Sequence, residues 1–154
     1  MSYPGLKSSE ILNLLPQQAP FRFVDEILEV DEQHIVGTYT FKQDEFFYAG
    51  HFPGNPVTPG VILIESMCQV GVVALGIYLL SVQKGNEDLD QWVTLFTDAE
   101  VEFFAPVYPK DKVIISANKI YFRRMKLRAT IEMRNPEGKL LATLTAAGQG
   151  VKKP

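Results

Sequence analysis

The feature that most constrains this chain is a run of twenty mainly apolar residues, 61–80, interrupted chiefly by Glu65, Ser66 and Gln69. Such a run is long enough to cross a bilayer as a helix. A glutamate is costly in lipid, however, and no basic cluster beside the run marks a membrane orientation. We therefore predict no membrane span but a buried core helix over residues 59–82, apolar on nearly every face, which the rest of the chain must cover.

Strand-like segments fill most of the remaining sequence. In residues 125–134 five apolar side chains alternate strictly with five polar or charged ones, which is the period of a half-buried strand. Further strands are predicted over residues 21–30, 35–41, 92–96, 101–104, 113–122 and 140–146, and a short helix from Ser8 or Ser9 to Leu15. One long apolar helix with one-sided antiparallel strands predicts an α+β fold, in which a curved antiparallel sheet is wrapped around one long central apolar helix.

Composition and charge limit the number of domains and the kinds of partner and cofactor that this chain is expected to have. At 154 residues, of which 46% are hydrophobic and 21% charged, the chain fits a single domain over residues 1–154. A net charge of −3 gives no reason to expect a nucleic-acid partner. The single cysteine, Cys68, lies in the apolar run, where inert packing is expected; with no disulfide partner and no signal peptide, the predicted location is cytoplasmic. Two histidines far apart and no Cys/His cluster predict no metal site.

The segment just before the helix, residues 50–60, contains three glycines and three prolines. Prolines stiffen a loop and glycines let a ligand approach the backbone, so this segment suits holding one side chain beside exposed N–H groups. Thr58, Pro59 and Gly60 are predicted to be the N-cap and the first two residues of the helix. The N–H of Gly60 would then be free, at the positive end of the helix dipole, to face a carbonyl oxygen that gains negative charge.

Two side chains near this helix start are candidates for acid/base chemistry. His51 lies in the loop, and Glu65 follows fourteen residues later inside the helix. Burying a carboxylate is costly unless it is hydrogen-bonded or more readily protonated, and either condition suits an acid/base group. Taken singly, His51 fits an ordinary loop residue and Glu65 a core acid with a buried partner. The two together, with the Gly60 N–H between them, favour a catalytic pair.

The residues that carry this pair also carry a family resemblance, because residues 50–69 read GHFPGNPVTPGVILIESMCQ. This motif resembles that of the hot-dog-fold 3-hydroxyacyl-acyl-carrier-protein dehydratases of fatty-acid synthesis, FabZ-like rather than FabA-like because the helix acid is Glu. Weaker similarity lies in APFRFVDEI near the start and in VEFFAPVYPKD later. Gln17 and Gln18 stand where the family commonly has a His-Arg pair, and Lys110 where a turn glycine is usual, which leaves a housekeeping or a specialised enzyme open.

The resemblance implies a hot-dog fold and syn-type dehydration of a 3-hydroxyacyl thioester to the trans-2-enoyl thioester, without a cofactor. His51 and Glu65 would be the catalytic pair, Gly60 N–H would polarise the thioester carbonyl, and Gln69 would orient the Glu65 carboxyl. On one helix Gly60 and Glu65 point about 140° apart with a rise of about 7.5 Å, too far for one thioester. The family resolves this with a homodimer that pairs His51 and Gly60 of one subunit with Glu65 of the other. A trimer of dimers is left open.

Two other functions use the same fold. A hot-dog acyl-thioesterase activates water with a carboxylate, but has no C2 proton for a residue like His51 to remove. A non-catalytic acyl-carrier-binding module would not need the three site residues. The predicted partner is acyl carrier protein, which is strongly acidic, and we expect its contacts among Arg123, Arg124, Lys126 and Arg128, the latter three on one face of a strand. The alternative for these four is an ordinary solvated strand face.

Overall fold

The computed structural model describes residues 2–154. Two helical regions and six strands make up the fold. They are, in order, α1 (Ser8–Leu14), β1 (Glu26–Val30), β2 (His34–Thr40), α2 (Gly60–Cys68), a π-helical segment (Gln69–Ala74), α3 (Leu75–Lys84), a 3₁₀ turn (Leu89–Gln91), β3 (Trp92–Phe103), β4 (Lys112–Arg123), β5 (Lys126–Arg134) and β6 (Leu140–Lys152).

All six strands form one antiparallel sheet in the order β1-β2-β4-β5-β6-β3. Alternate residues of the inner strands point toward the helix, as the two-residue period predicts; in β5 the buried members are Leu127, Ala129, Ile131 and Met133. The sheet curves around the continuous helical region Gly60–Lys84, which confirms the α+β hot-dog arrangement predicted from the sequence.

The central helix is a core helix and not an exposed one. By length and composition Gly60–Lys84 could cross a membrane, but 67% of its most apolar window is buried within the protein. The helix also approaches the sheet very closely at Gly71, where an added Cβ would lie 2.5 Å from Cδ1 of Ile131. Only a glycine permits this spacing, so the middle of the helix is pressed against β5.

The helix is not uniform, which the apolar run did not predict. Residues Gln69–Ala74 form a π-helical segment between two α-helical parts. Side chains in this segment are buried on every side, so the hydrophobic pattern carried no information about the number of residues per turn. The wider turn begins at Gln69, one turn after Glu65, and changes the direction of every later side chain relative to an ideal α-helix.

Four strand predictions were wrong in their bounds, among them 140–146, because β6 continues to Lys152. Residues 92–96 and 101–103 belong to one strand, β3, which ends before Phe104. A bulge between Phe96 and Asp98 lets pairing with β6 continue through the residues between the two predicted strands. The strand predicted over residues 21–30 begins only at Glu26, because side chains of the central helix, and not a neighbouring strand, take the backbone hydrogen bonds of Phe21 and Phe23.

Candidate active site

The loop that precedes the central helix is closed by hydrogen bonds of its own backbone. Val57 N–H donates to the carbonyl of His51 at 2.9 Å. Inside this closure Phe52 and Asn55 exchange two backbone hydrogen bonds of 3.1 and 2.8 Å around Gly54, whose φ of +70° favours glycine. The glycines and prolines of the sequence therefore produce a compact turn that presents the His51 side chain.

His51 has a defined tautomer. Its Nδ1 lies 2.8 Å from the carbonyl oxygen of Val57, and a carbonyl only accepts, so Nδ1 carries a hydrogen. In the neutral ring Nε2 is then the basic nitrogen. The imidazole is partly buried and stacks on the Phe52 ring, with centroids 4.1 Å apart and an angle of 24° between the planes. One hydrogen bond and one stacking contact thus orient a base whose Nε2 has no hydrogen-bond partner within residues 2–154.

The helix begins one residue later than predicted. Pro59 has an extended ψ of 138° and is the N-cap, so Gly60 is the first helical residue and not the second. Thr58 does not cap the helix, because its hydroxyl is hydrogen-bonded to Tyr48 and its N–H donates to Val107 O at 2.8 Å. The prediction of a free N–H at Gly60 survives this correction, since a first-turn N–H has no intrahelical acceptor.

A ring lies against the Gly60 backbone. A Cβ added at position 60 would lie 2.9 Å from Cζ of Phe103, at the end of β3. Phe103 itself is 47% exposed, so the ring covers the helix start on one side only. A side chain at position 60 would therefore displace this ring, and Phe103 is a site neighbour that the sequence analysis did not single out.

Glu65 lies on the central helix with Gln69 as its immediate partner. The Gln69 amide donates from Nε2 to Glu65 Oε1 at 2.9 Å, so the predicted contact between them is present. Glu65 is partly buried, and Gln69 is fully buried. Within residues 2–154, Oε2 of Glu65 has no hydrogen-bond donor, which leaves one carboxyl oxygen for a ligand.

The same glutamine ties the helix to a distant segment. Its Oε1 accepts from Phe23 N–H at 2.7 Å, and its Nε2 also donates to Phe21 O at 2.8 Å. Ser66 adds a third bond, from its hydroxyl to Phe23 O at 2.8 Å. Sequence reasoning missed these contacts; the only signal was that Ser66 and Gln69 interrupt an apolar run, which marks buried polar groups in need of partners.

Comparison with known proteins adds the family. A family model described as a FabA-like domain matches residues 15–142. The chain belongs to the FabA-like family. Among curated relatives, the 3-hydroxyacyl-[acyl-carrier-protein] dehydratase FabZ of Thermus thermophilus is 36% identical over 145 residues, covering 92% of this chain and 96% of its own. The FabZ of Syntrophobacter fumaroxidans is 37% identical over 145 residues, with coverage of 90% and 94%. The resemblance seen in the motif is therefore confirmed.

Solved structures show how widely the fold of this FabA-like chain is shared. The dehydratase heterocomplex ApeI:P of Xenorhabdus doucetiae aligns with a TM-score of 0.77 at 16% identity, covering 98% of this chain and 93% of its own. The thioesterase HI1161 of Haemophilus influenzae aligns at 0.67 and 18%, covering 97% and 93%. At such low identity these likenesses concern the fold alone.

The basic residues predicted on one strand face are arranged differently in the FabA-like structure. Arg124 does not lie on a strand: it forms a two-residue turn with Met125 between β4 and β5, both with positive φ, of 52° and 63°. Arg128 is on β5 as predicted, but its guanidinium is paired with Asp98 at 2.9 Å and lowers the pKa of that carboxyl through the hydrogen bond. Arg123 lies over the Tyr121 ring, 4.2 Å from its centroid.

Cys68 is the one thiol of the chain and lies in the central helix. It is fully buried, as expected, and burial, with a smaller contribution from the Glu65 charge, raises the pKa of its thiol to about 12. The thiolate is the nucleophilic form, so this side chain is unreactive at neutral pH. Within residues 2–154, no group of three or more His, Cys, Asp or Glu side chains is arranged to hold a metal ion.

Proposed function

We propose that this chain dehydrates a 3-hydroxyacyl thioester on acyl carrier protein to the trans-2-enoyl thioester, in fatty-acid or related acyl-chain biosynthesis. The observation that carries the proposal is the hydrogen bond of His51: Nδ1–H is held by Val57 O, so in the neutral ring Nε2 is the basic nitrogen. A base at this place is required for removal of a C2 proton and has no use in hydrolysis by a carboxylate. The relatives named above, matched over nine-tenths of the chain, carry the name of this activity.

Each step of the dehydration is assigned to one residue of this chain. Nε2 of His51 takes the proton from C2, which the thioester acidifies. The N–H of Gly60 hydrogen-bonds the thioester oxygen as it becomes enolate-like, at the positive end of α2. Protonated Glu65 gives its proton to the C3 hydroxyl, which leaves as water when the double bond forms. The proton on His51 then returns to Glu65, so the cycle consumes no cofactor. Gln69 orients the Glu65 carboxyl by donating a hydrogen bond from its Nε2 to Glu65 Oε1.

We also propose a homodimer, and the support for it is the surface that one copy leaves uncovered. β3 is the last strand of the sheet, twelve residues long, and one of its edges is unpaired within residues 2–154. Leu95 and Phe96 on it are 57% and 44% exposed, and Val61, one turn before Glu65, is 70% exposed. A long unpaired strand edge with exposed apolar side chains is a site for pairing with another strand. We propose that a second copy covers it and that Glu65 of one subunit works with His51 of its partner.

An apolar cavity beside the central helix suits the acyl chain. It begins at Val72, about two turns beyond Glu65, and is enclosed by the π segment, α3, the start of β3 and the β4–β5 turn. Its wall includes the following residues: Val72, Gly76, Ile77, Leu80, Trp92, Phe122, Met125 and Leu127. The lining includes none of the candidate site residues, but it is mainly apolar, as a site for a fatty chain must be. We propose that the chain extends from the site along the helix into this cavity.

We propose that the carrier protein contacts the β4–β5 hairpin. Arg123, Arg124 and Lys126 line a shallow surface depression with Tyr121 and Gln149, in a protein of net charge −3. Arg128, also among the predicted contacts, is the least available because Asp98 holds it. An acidic carrier would be steered to such a cluster, and the attraction would weaken with salt. A cytoplasmic location, like carrier binding, stays a prediction.

One assay separates the candidate functions. A 3-hydroxyacyl thioester is incubated with the protein while enoyl absorbance and free thiol are recorded together. Dehydration raises only the enoyl signal, thioester hydrolysis only the thiol, and a binding module neither. We expect His51→Ala and Glu65→Gln each to lower enoyl formation by about 10² to 10⁴, the usual contribution of one acid/base group. Folded variants with near-native turnover would contradict the proposed mechanism.

Subunit exchange tests the shared site. His51→Ala and Glu65→Gln proteins, each inactive alone, are mixed under conditions that allow exchange. A shared site predicts recovered activity, because a heterodimer contains one pair with both groups intact. Confirmed heterodimers with no recovery would show that each subunit works with its own pair.

A further inference from the structure

Two buried hydroxyl groups meet at the two ends of the loop that presents His51. Tyr48 Oη and Thr58 Oγ1 are 2.6 Å apart, and both residues are only 5% exposed. Tyr48 is three residues before His51, and Thr58 directly follows Val57, the residue whose carbonyl accepts the His51 Nδ1–H. The hydrogen bond therefore joins the two residues that flank the loop, outside the backbone hydrogen bond between Val57 and His51 that closes it.

A buried hydroxyl pair requires that each hydroxyl find a hydrogen-bond partner. Within residues 2–154 neither hydroxyl has another hydrogen-bond partner, so each satisfies the other. Phenylalanine and valine would occupy nearly the same volume with no polar group to desolvate. Burial also raises the pKa of the Tyr48 phenol, so the phenol stays uncharged. Packing alone thus does not require the hydroxyls. Their hydrogen bond is directional, and so it fixes the relative position of residues 48 and 58 in a way that two apolar side chains would not.

Both ends of the pair are anchored in the rest of the fold. On one side Thr58 N–H donates to Val107 O at 2.8 Å. On the other side Tyr48 N–H donates to Glu45 O at 3.2 Å, and the Glu45 carboxylate is held by the Tyr39 hydroxyl. The hydrogen bond therefore connects two fixed points and determines how the backbone at residues 57–58 is placed.

We propose that Tyr48 and Thr58 are positioning residues for the base: their hydrogen bond fixes the Val57 carbonyl, which in turn holds Nδ1–H and the ring direction of His51. Neither hydroxyl touches the reacting atoms. The proposal rests on the proposed function for its kinetic consequence, because a base displaced from its near-attack geometry slows proton transfer more than it weakens substrate binding.

Two removals and one conservative change test the hydroxyls. Tyr48→Phe and Thr58→Val each delete one partner and leave the other buried and unpaired, whereas Thr58→Ser keeps the hydroxyl. Tyr78→Phe is the matched control, since it deletes a phenol from α3, away from the loop. We expect kcat for a 3-hydroxyacyl thioester to fall about tenfold or more in the first two with KM changed less than about twofold, and to stay within about threefold of native in Thr58→Ser and Tyr78→Phe.

A double variant separates a direct partnership from two independent effects. Removing both hydroxyls leaves no unpaired group, so Tyr48→Phe combined with Thr58→Val should lose no more kcat than the worse single variant. Multiplication of the two losses would overturn the pairing. Native kcat in Tyr48→Phe would overturn the proposal outright, and if that variant does not fold, the contrast of Thr58→Val with Thr58→Ser decides in its place.

A readout independent of turnover distinguishes positioning from general support of the fold. ¹⁵N spectra of the histidine rings report which nitrogen of His51 carries the hydrogen, with His51→Ala identifying its signals. The proposal predicts a loss of the Nδ1–H form in Tyr48→Phe and Thr58→Val, and its retention in Thr58→Ser. Unchanged ring signals beside a lowered kcat would overturn it. If the unmodified protein dehydrates no thioester, the proposed function fails, while these spectra still decide whether the hydroxyl pair holds the ring.

Discussion

Gln69 offers the sharpest test of how the central helix is joined to its surroundings. Gln69→Met keeps the length of the side chain and removes all three of its hydrogen bonds, of 2.7, 2.8 and 2.9 Å. Phe23 N–H and Phe21 O lose their only side-chain partner, and an unsatisfied buried group costs about 1–3 kcal/mol. Phe21 is more accessible to water than Phe23, so we expect a total loss of about 2–4 kcal/mol in the free energy of unfolding.

The assay is urea unfolding at one fixed protein concentration, because the proposed association of two copies would make stability depend on concentration. For a chain of this size the loss corresponds to about 5–15 °C in Tm. Ser66→Ala is the matched control: it removes one bond, to Phe23 O, from the same helix, and should cost about 1–2 kcal/mol. If Gln69→Met were no more destabilising than Ser66→Ala, the reasoning from three hydrogen bonds against one would be refuted.

Three further predictions concern the cavity, the hairpin and the thiol. Gly76→Leu should lower turnover of long 3-hydroxyacyl chains while short ones are still processed. A Cβ at Gly76 would meet only Leu127, at 3.8 Å, so a larger side chain would enter the cavity. Equal loss of turnover for all chain lengths would contradict this prediction. Arg123→Glu with Arg124→Glu should raise KM for carrier-bound substrate and not for a small thioester mimic, with Lys139→Glu as the control on a distant turn. Cys68, with a pKa of about 12, should resist iodoacetamide at pH 8 in the folded protein and react in urea; rapid alkylation without urea would contradict its burial.

The amino-acid sequence was sufficient for the fold class, whereas the roles of the candidate site residues stay predictions. An apolar run too long for a strand, set among segments of two-residue period, has few packing solutions, and a sheet around a helix is the one observed. His51, Gly60 and Glu65 lie within fifteen residues of one another, so local spacing was enough to single them out as candidates. The N–H of Gly60 could be predicted to be free because the proline before it marks the start of a helix, and a first-turn N–H has no intrahelical acceptor.

Local errors arose where the pattern carried no information. The π turn at Gln69–Ala74 lies in a stretch that is apolar on every side, where no periodicity distinguishes 3.6 residues per turn from a wider turn. Arg124 was assigned to a strand because its neighbours alternate, although a two-residue turn with positive φ interrupts the pattern there. β3 was divided in two because its polar middle, on an edge strand, is exposed on both sides.

Only the tertiary structure decided which polar groups are partners. Gln69 contacts Phe23, 46 residues away in the chain, and Arg128 contacts Asp98, 30 residues away and two strands across the sheet. The bond between Tyr48 and Thr58 spans ten residues, but it exists because the loop folds back on itself. Hydrophobic periodicity says which side of an element is buried. It does not say which buried donor meets which acceptor, because that depends on the register between elements, set by the packing of the whole core.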